Sequence, residues 1–400
     1  MRDMNSILAY TGEIDDPAKA AGELFEQVGG FSFGESSLAI IFAVDDTEFD
    51  MLYEELGKRW DFPIMGCTSL AMFMGDRGYK NDGISALLLT GDDVEITVGM
   101  TDELRLDNYY DELEARYNEL KSSHSDEIKL IISYGGLSMD EDDVPGDYPI
   151  QALSDISGGV PIYGGIASDT FSYDGVRVFC NGDVTSNGQV MALISGAIDP
   201  RFIVTNSIEN RVSFSYDVTK ASGSTVYELE GIPFIDVLKK ENMYVDKRDV
   251  FGDYILSPFL VDIPKDNGSV EVGRCLSLLD GETGSGTFLG VVPEKAMLNV
   301  GIISQDDVKK SVNEAFDEAI SELSGAEGEH HTLLCTSCCA RFLALGSNAS
   351  VEIDAYRDRL PEGVSLMGFY GYGEYCPIND DRSGTGYNMF HNFTFTILVI

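Results

Sequence analysis

Three groups of residues in this 400-residue chain are of types that do chemistry. The first is Cys335-Thr336-Ser337-Cys338-Cys339, a C-x-x-C behind an apolar run. Such a pair at a strand-to-helix junction suits dithiol chemistry, because a helix N-terminus lowers a thiol pKa. A buried cysteine serves equally as a small apolar residue. The second is the run from Tyr370 through Tyr372 to Glu374. Tyr372 and Glu374 alternate, so an extended backbone aims both to one side. Glu374 then accepts hydrogen bonds from a ligand ammonium, and the tyrosines form an aromatic wall. The third is His391-Asn392 ahead of the last apolar run. The imidazole is a candidate metal or haem ligand, or a hydrogen-bonded structural residue. Arg341 stands between these groups and suits either a ligand carboxylate or a structural ion pair.

Other patterns are weaker. No second cysteine pair exists to complete a zinc site. Asp140-Glu141-Asp142-Asp143 lacks the alternating spacing of a calcium loop and reads as a solvated acidic turn. Gly281 to Gly286 has no G-K-[ST], and no G-x-S-x-G elbow is present. No catalytic residue and no metal site are therefore expected.

The elements that position these residues repeat. Pro63-Ile64-Met65-Gly66 recurs as Pro161-Ile162-Tyr163-Gly164 and as Ser365-Leu366-Met367-Gly368. Each phrase lies between two apolar runs with a helix-like stretch before it, so the unit reads as a multiplied α/β module rather than a solenoid. Small or polar residues follow each glycine: Thr68 and Ser69, then Ser168 and Asp169, then the tyrosines and Glu374. Loops leaving strand ends are where α/β proteins gather ligands, so these residues are candidate ligand contacts. They also suit plain turns. Helices are expected over 18–28, 47–58, 107–121, 234–240 and 311–323. In the last, Val312, Ala315, Phe316, Ala319 and Leu323 hold one face. The middle of the chain reads as short strands, with a hairpin over 270–292 and a domain boundary near Gly231. The fold class is mixed α/β in layered sheets.

The formal charge of −41 repels phosphate backbones, so nucleic acid is not an expected partner. No apolar stretch is long enough to span a bilayer, and the first residues lack a signal-peptide pattern. Seven scattered cysteines point to reduced thiols, so a cytoplasmic chain is expected.

The sequence resembles FIST-domain proteins. The resemblance rests on 63–69 and 164–169 in an N-terminal portion. In a C-terminal portion it rests on Cys338-Cys339-Ala340-Arg341, on Gly368-Phe369-Tyr370-Gly371-Tyr372-Gly373-Glu374, and on Phe390-His391-Asn392-Phe393-Thr394. It implies a FIST N portion over 1–230 and a FIST C portion over 231–400. It implies an intracellular sensory domain that binds a small polar metabolite such as an amino acid. Haem-binding nitric oxide sensing through His391 and thiol redox chemistry at Cys335 and Cys338 are the alternatives. Relatives carry kinase, chemotaxis-receptor or diguanylate cyclase domains. No output domain follows here, so the signal is expected to pass to a separate protein of that kind.

Overall fold

The computed structural model describes residues 4–137, 144–208, 210–265, 268–325, 332–379 and 386–400. The acidic run at 140–143 lies outside them.

Three copies of one α/β unit make up most of the molecule. Each runs strand, helix, strand, helix, strand, hairpin, strand. The first uses strands Asn5–Thr11, Ser36–Ala43, Ile64–Thr68 and Ile84–Gly91. The second uses Val94–Met100, Ile128–Gly135, Ile162–Ile166 and Gln189–Gly196. The third uses Arg201–Asn206, Thr332–Cys338, Ser365–Gly371 and Thr394–Val399. In every copy the middle pair is parallel, as in Ser36–Ala43 beside Ile64–Thr68, and the other neighbours are antiparallel. The fold is thus mixed α/β.

The hairpins do not stay with their own copy. The first copy's Met72–Met74 and Gly78–Lys80 extend the third sheet, beside Ser365–Gly371. The third copy's Gly373–Asn379 and Gly386–His391 extend the second sheet, beside Ile162–Ile166. The second copy's Val178–Cys180 and Asp183–Thr185 extend the first, beside Ile64–Thr68. This cyclic exchange closes three six-stranded sheets into a ring.

The central strands are buried on both faces, which is why they read as unbroken apolar runs. Their period-two alternation still sorts the two sides. Leu38, Ile40 and Phe42 face inward to meet Leu130, Ile132 and Tyr134 of the second copy and Leu334, Met367 and Phe369 of the third. Phe42 stacks on Phe369 at 4.4 Å between ring centres. Ala39, Ile41 and Ala43 face outward beneath a helical layer that includes Ala20, Leu24, Leu52 and Leu56.

The repeated glycines lie inside their strands rather than in loops. A Cβ on Gly66 would stand 1.8 Å from the carbonyl oxygen of Ile41, and one on Gly164 would stand 1.9 Å from that of Ser133. Both oxygens belong to the parallel neighbour, so the phrase marks close backbone approach.

Residues 207–303 leave the third copy after its first strand and form a separate body. Seven strands, from Asn210–Ser222 to Met297–Ile302, make one sheet. An added pairing of Asn210–Ser222 with Thr225–Leu229 closes it into a barrel. Its core holds Phe214, Phe234, Phe259 and Phe288. Helix Phe234–Lys240 has the bounds read from the sequence, and strands Gly268–Asp280 and Ser285–Leu289 form the expected hairpin.

Candidate functional site

The candidate residues fall into four separate places. At the junction of the three copies, Ser69 Oγ donates to the Tyr370 carbonyl at 3.1 Å and accepts from the Tyr370 N–H at 3.1 Å. Ser168 Oγ bonds the same carbonyl and accepts from the Leu70 N–H at 2.9 Å. Thr68 Oγ1 accepts from the Arg177 N–H at 3.0 Å, and the Thr68 carbonyl accepts from the Ser168 N–H at 3.1 Å. These hydroxyls are buried and tie one copy to the next. The repeat loops converge, but they converge on each other.

Arg341 is in a second closed network. Its Nε donates to Glu352 Oε1 at 2.8 Å and to Ser337 Oγ at 3.2 Å. Nη1 serves Ser207 and Ser311, and Nη2 reaches the Val308 carbonyl and, at 2.6 Å, Glu352. The Tyr370 hydroxyl donates to the other Glu352 oxygen. Every face of the guanidinium is engaged and both residues are fully buried. A ligand carboxylate would have to displace Glu352, so the structural ion pair is the role this geometry fits.

The third place is a cavity of about 330 Å³ between the ring and the barrel. The second copy contributes Gly136, Leu137, Val144 and Phe171 with Tyr173, and the third contributes Cys338, Cys339, Ala340, Tyr372 and Asn392. The barrel contributes Phe251, Ile255, Cys275, Phe288 and Leu289. Tyr372 sits at the bend between strands Ser365–Gly371 and Gly373–Asn379 and lines the cavity, whereas Glu374 is not among the lining residues. Its hydroxyl donates to Asp169 Oδ1 at 2.5 Å and accepts from the Phe171 N–H at 3.1 Å. Asp169 also accepts from Ser172 Oγ and the Gly175 N–H. Burial pushes its carboxyl up, but these bonds outweigh that and hold it below the usual range. The loop that they fix carries Phe171 and Tyr173 at φ of 65° and 64°. Two aromatic residues in the left-handed region are a strained arrangement of the kind found at ligand sites.

Asn392 is 3% exposed, lines the cavity, and its Oδ1 has no hydrogen-bond partner. Close by, Glu374 accepts from the Thr394 N–H at 3.2 Å and the Thr394 hydroxyl at 2.5 Å through Oε2 alone. Oε1 is buried with no partner. Burial pushes this carboxyl up to about 8, so it is mostly protonated at neutral pH. Cys338 lies against it.

His391, the fourth place, pairs across the ladder with Glu374. Its Nε2 is 2.9 Å from the Cys376 carbonyl, which can only accept, so Nε2 carries the proton. Burial lowers its pKa to about 4 and keeps the ring neutral. No histidine lines the cavity. The residues therefore do not fit haem, which wants an imidazole nitrogen facing a broad apolar pocket.

Cys335 and Cys338 do not form a dithiol site. They are three apart on strand Thr332–Cys338, which aims them to opposite faces. Cys335 packs with Phe316 and Ile397, whereas Cys338 packs with Leu260 and Phe393. Burial pushes both thiols well up, so neither is a ready thiolate.

Sequence reasoning missed the barrel's contribution. One signal was present: Arg274 is a lone cation in the apolar strand Gly268–Asp280. It is fully buried, with Nη2 2.9 Å from Asp147 Oδ1 and Nη1 3.2 Å from the Phe390 carbonyl. The Val291 N–H donates to Asp147 Oδ2 at 2.7 Å. This clamp holds the barrel to the second copy beside the cavity. Gly290, at φ of 114°, lets the chain lie over it, since a Cβ there would stand 2.6 Å from Arg274 Nε.

A second hollow of about 540 Å³ lies between the second and third copies, around Arg201, Glu318 and Glu322. It carries none of the unpartnered buried polar atoms found among the described residues. The residues brought together around the first cavity make it the better candidate.

Residues 37–232 match the FIST N domain family and residues 236–377 match the FIST C domain family. Glu374 is inside the second match, and His391 and Asn392 are beyond it. An uncharacterized protein of Methanocaldococcus jannaschii is 28% identical over 236 residues, which is 55% of this chain and 43% of that one. The chain thus spans less than half the length of that curated relative. Among solved structures, one cyanuric acid hydrolase aligns over 100% of this chain and 99% of its own at 9% identity and a TM-score of 0.35. Another, from A. caulinodans, aligns over 49% and 72% at 10% identity and a TM-score of 0.29. At those scores the likeness carries no argument about function.

Proposed function

The chain belongs to the FIST family, whose domains are sensory domains of signal transduction, and from that premise we propose that it is a non-catalytic sensor. It holds a small molecule in the cavity between the ring and the barrel. The observation that carries this reading is Asn392 Oδ1, a buried acceptor in the cavity wall with nothing to accept from. A buried polar atom without a partner costs ~1–3 kcal/mol, so it is kept where something else satisfies it. The volume is near the lower end of the ~300–1,000 Å³ of small-ligand sites. The ligand touches two bodies at once, so occupancy biases how they sit together, and a partner reads that difference.

The partner would be a separate kinase, chemotaxis or cyclic-nucleotide signalling protein in the cytoplasm. The charge of −41 argues against nucleic acid as that partner. Among the described residues, no helix is long and apolar enough to cross a membrane.

The test is a thermal-shift survey of a metabolite collection that includes the amino acids. A ligand at 100 times its Kd raises stability by ~2.7 kcal/mol. Ala340→Phe, which adds bulk to the cavity wall, is expected to abolish the shift measured relative to the variant's own ligand-free melt. An absence of any shift across the collection would sink the reading.

A further inference from the structure

The lining of the cavity points to the class of ligand, given that the cavity is the sensor's site as proposed above. Seven aromatic residues line it: Phe171, Tyr173, Phe251, Phe288, Tyr372, Phe390 and Phe393. They come from the second copy, the barrel and the third copy, so a flat ring would be enclosed by all three. Aromatic faces and edges pack a ring at centroid separations of ~4.5–7 Å.

Among the described residues of the lining, the charges that an amino acid needs are missing. No arginine, lysine or histidine is among the lining residues, so an α-carboxylate has no cation to meet. Arg341 is locked by Glu352, and Arg274 is locked by Asp147 and three backbone carbonyls. Burying an unpaired carboxylate is costly. Among the described residues Asp249 is the single carboxylate in the lining, and it is exposed at the barrel side rather than placed to neutralise a buried ammonium. What the wall does offer is Asn392, whose Oδ1 is a buried acceptor without a partner.

We infer that the ligand is an uncharged aromatic or heteroaromatic molecule bearing one N–H donor. The ring packs among the phenylalanines, and the N–H points at Asn392 Oδ1. The specificity is for the donor, because an analogue without it leaves a buried acceptor unpaired.

The experiment measures binding of five related probes to the full chain by calorimetry. They are indole, 1-methylindole, indole-3-acetate, tryptamine and tryptophan. Indole is expected to bind about tenfold or more tighter than 1-methylindole, following the ~1–3 kcal/mol cost of an unpaired buried acceptor. The three charged probes are expected to be weaker than indole. Asn392→Leu should erase the preference for indole over 1-methylindole while still binding both. The wild-type comparison stands even if that variant fails to fold.

Equal affinity for indole and 1-methylindole overturns the proposal. So does tighter binding of tryptophan, tryptamine or indole-3-acetate, which leaves the sensor reading intact. If none of the five binds, the ligand class is wrong. The metabolite survey then decides separately whether the sensor reading survives.

Discussion

Two buried glutamates of the third copy have opposite surroundings. Glu352 has both oxygens occupied, by Arg341, Ser337 and the Tyr370 hydroxyl. Glu374 has one oxygen bonded to Thr394 and one left bare. Both are fully buried. A buried charge is tolerated when it is paired and fully hydrogen-bonded, as Glu352 is. Glu374 has no such partner, and it relieves the cost by holding its proton. The closed network is what a stability element looks like. The open one, with Asn392 beside the cavity, is what a place for something else looks like.

Breaking the closed network should have the largest effect. Arg341→Ala leaves Glu352 as an uncompensated buried charge and should cost ~3–5 kcal/mol, read as a drop in the urea midpoint. A loss below about 1 kcal/mol would mean that the network is not the anchor described.

Glu374→Gln comes next and acts through pH. The folded pKa of about 8 exceeds the ordinary 4.5, so the native state holds a proton that the unfolded chain releases. That contribution is fully present below about pH 4.5 and is lost as pH rises through 8. Wild type should lose up to ~1.4 kcal/mol per pH unit inside this window from this group. The Gln variant should be flat there, and melts from pH 5 to 9 compare the two. A wild type with no such slope would show that Glu374 is paired after all.

His391→Gln probes the opposite limb with a smaller span. Its folded pKa of about 4 lies below the ordinary 6.5, so its contribution is present above pH 6.5 and is lost as pH falls through 4. The variant should be less sensitive to acid over that range. An unchanged acid limb would mean that burial does not hold the ring neutral.

The smallest effect should come from Asn392→Leu. It removes a buried acceptor that has no partner, so the fold should lose no stability while ligand discrimination is lost. A destabilisation of several kcal/mol would make Asn392 a structural residue like Arg341, and the contrast would collapse.

Much of this was legible in the sequence. The apolar runs gave the buried strands, because a strand covered on both faces needs no polar side. The helix expected over 18–28 is present, and Asp16 caps it by accepting from the Lys19 N–H at 3.1 Å. The repeated glycine marked a real constraint, though its cause is a carbonyl of the next strand at Gly66 and Gly164 and the Phe73 ring at Gly368, and not a turn. Glu374 and Asn392 were named from their setting in the third copy. Arg341 was named too, but nothing local tells a guanidinium for a ligand from one for a buried glutamate eleven residues on. The aromatic lining from the barrel carried no signal at all, since Phe251 and Phe288 look like any core residue until the barrel meets the ring.

The sequence by itself determined the three α/β copies, their core faces and the residue types available for binding. These follow from local periodicity and from backbone sterics, which act within a few residues. Only the tertiary structure decided which hairpin joined which sheet, which polar atoms were satisfied and which were left open. Those outcomes depend on contacts between residues more than a hundred positions apart, such as Arg274 with Asp147. No local pattern encodes such a meeting, because it exists only once the ring and the barrel have closed on each other.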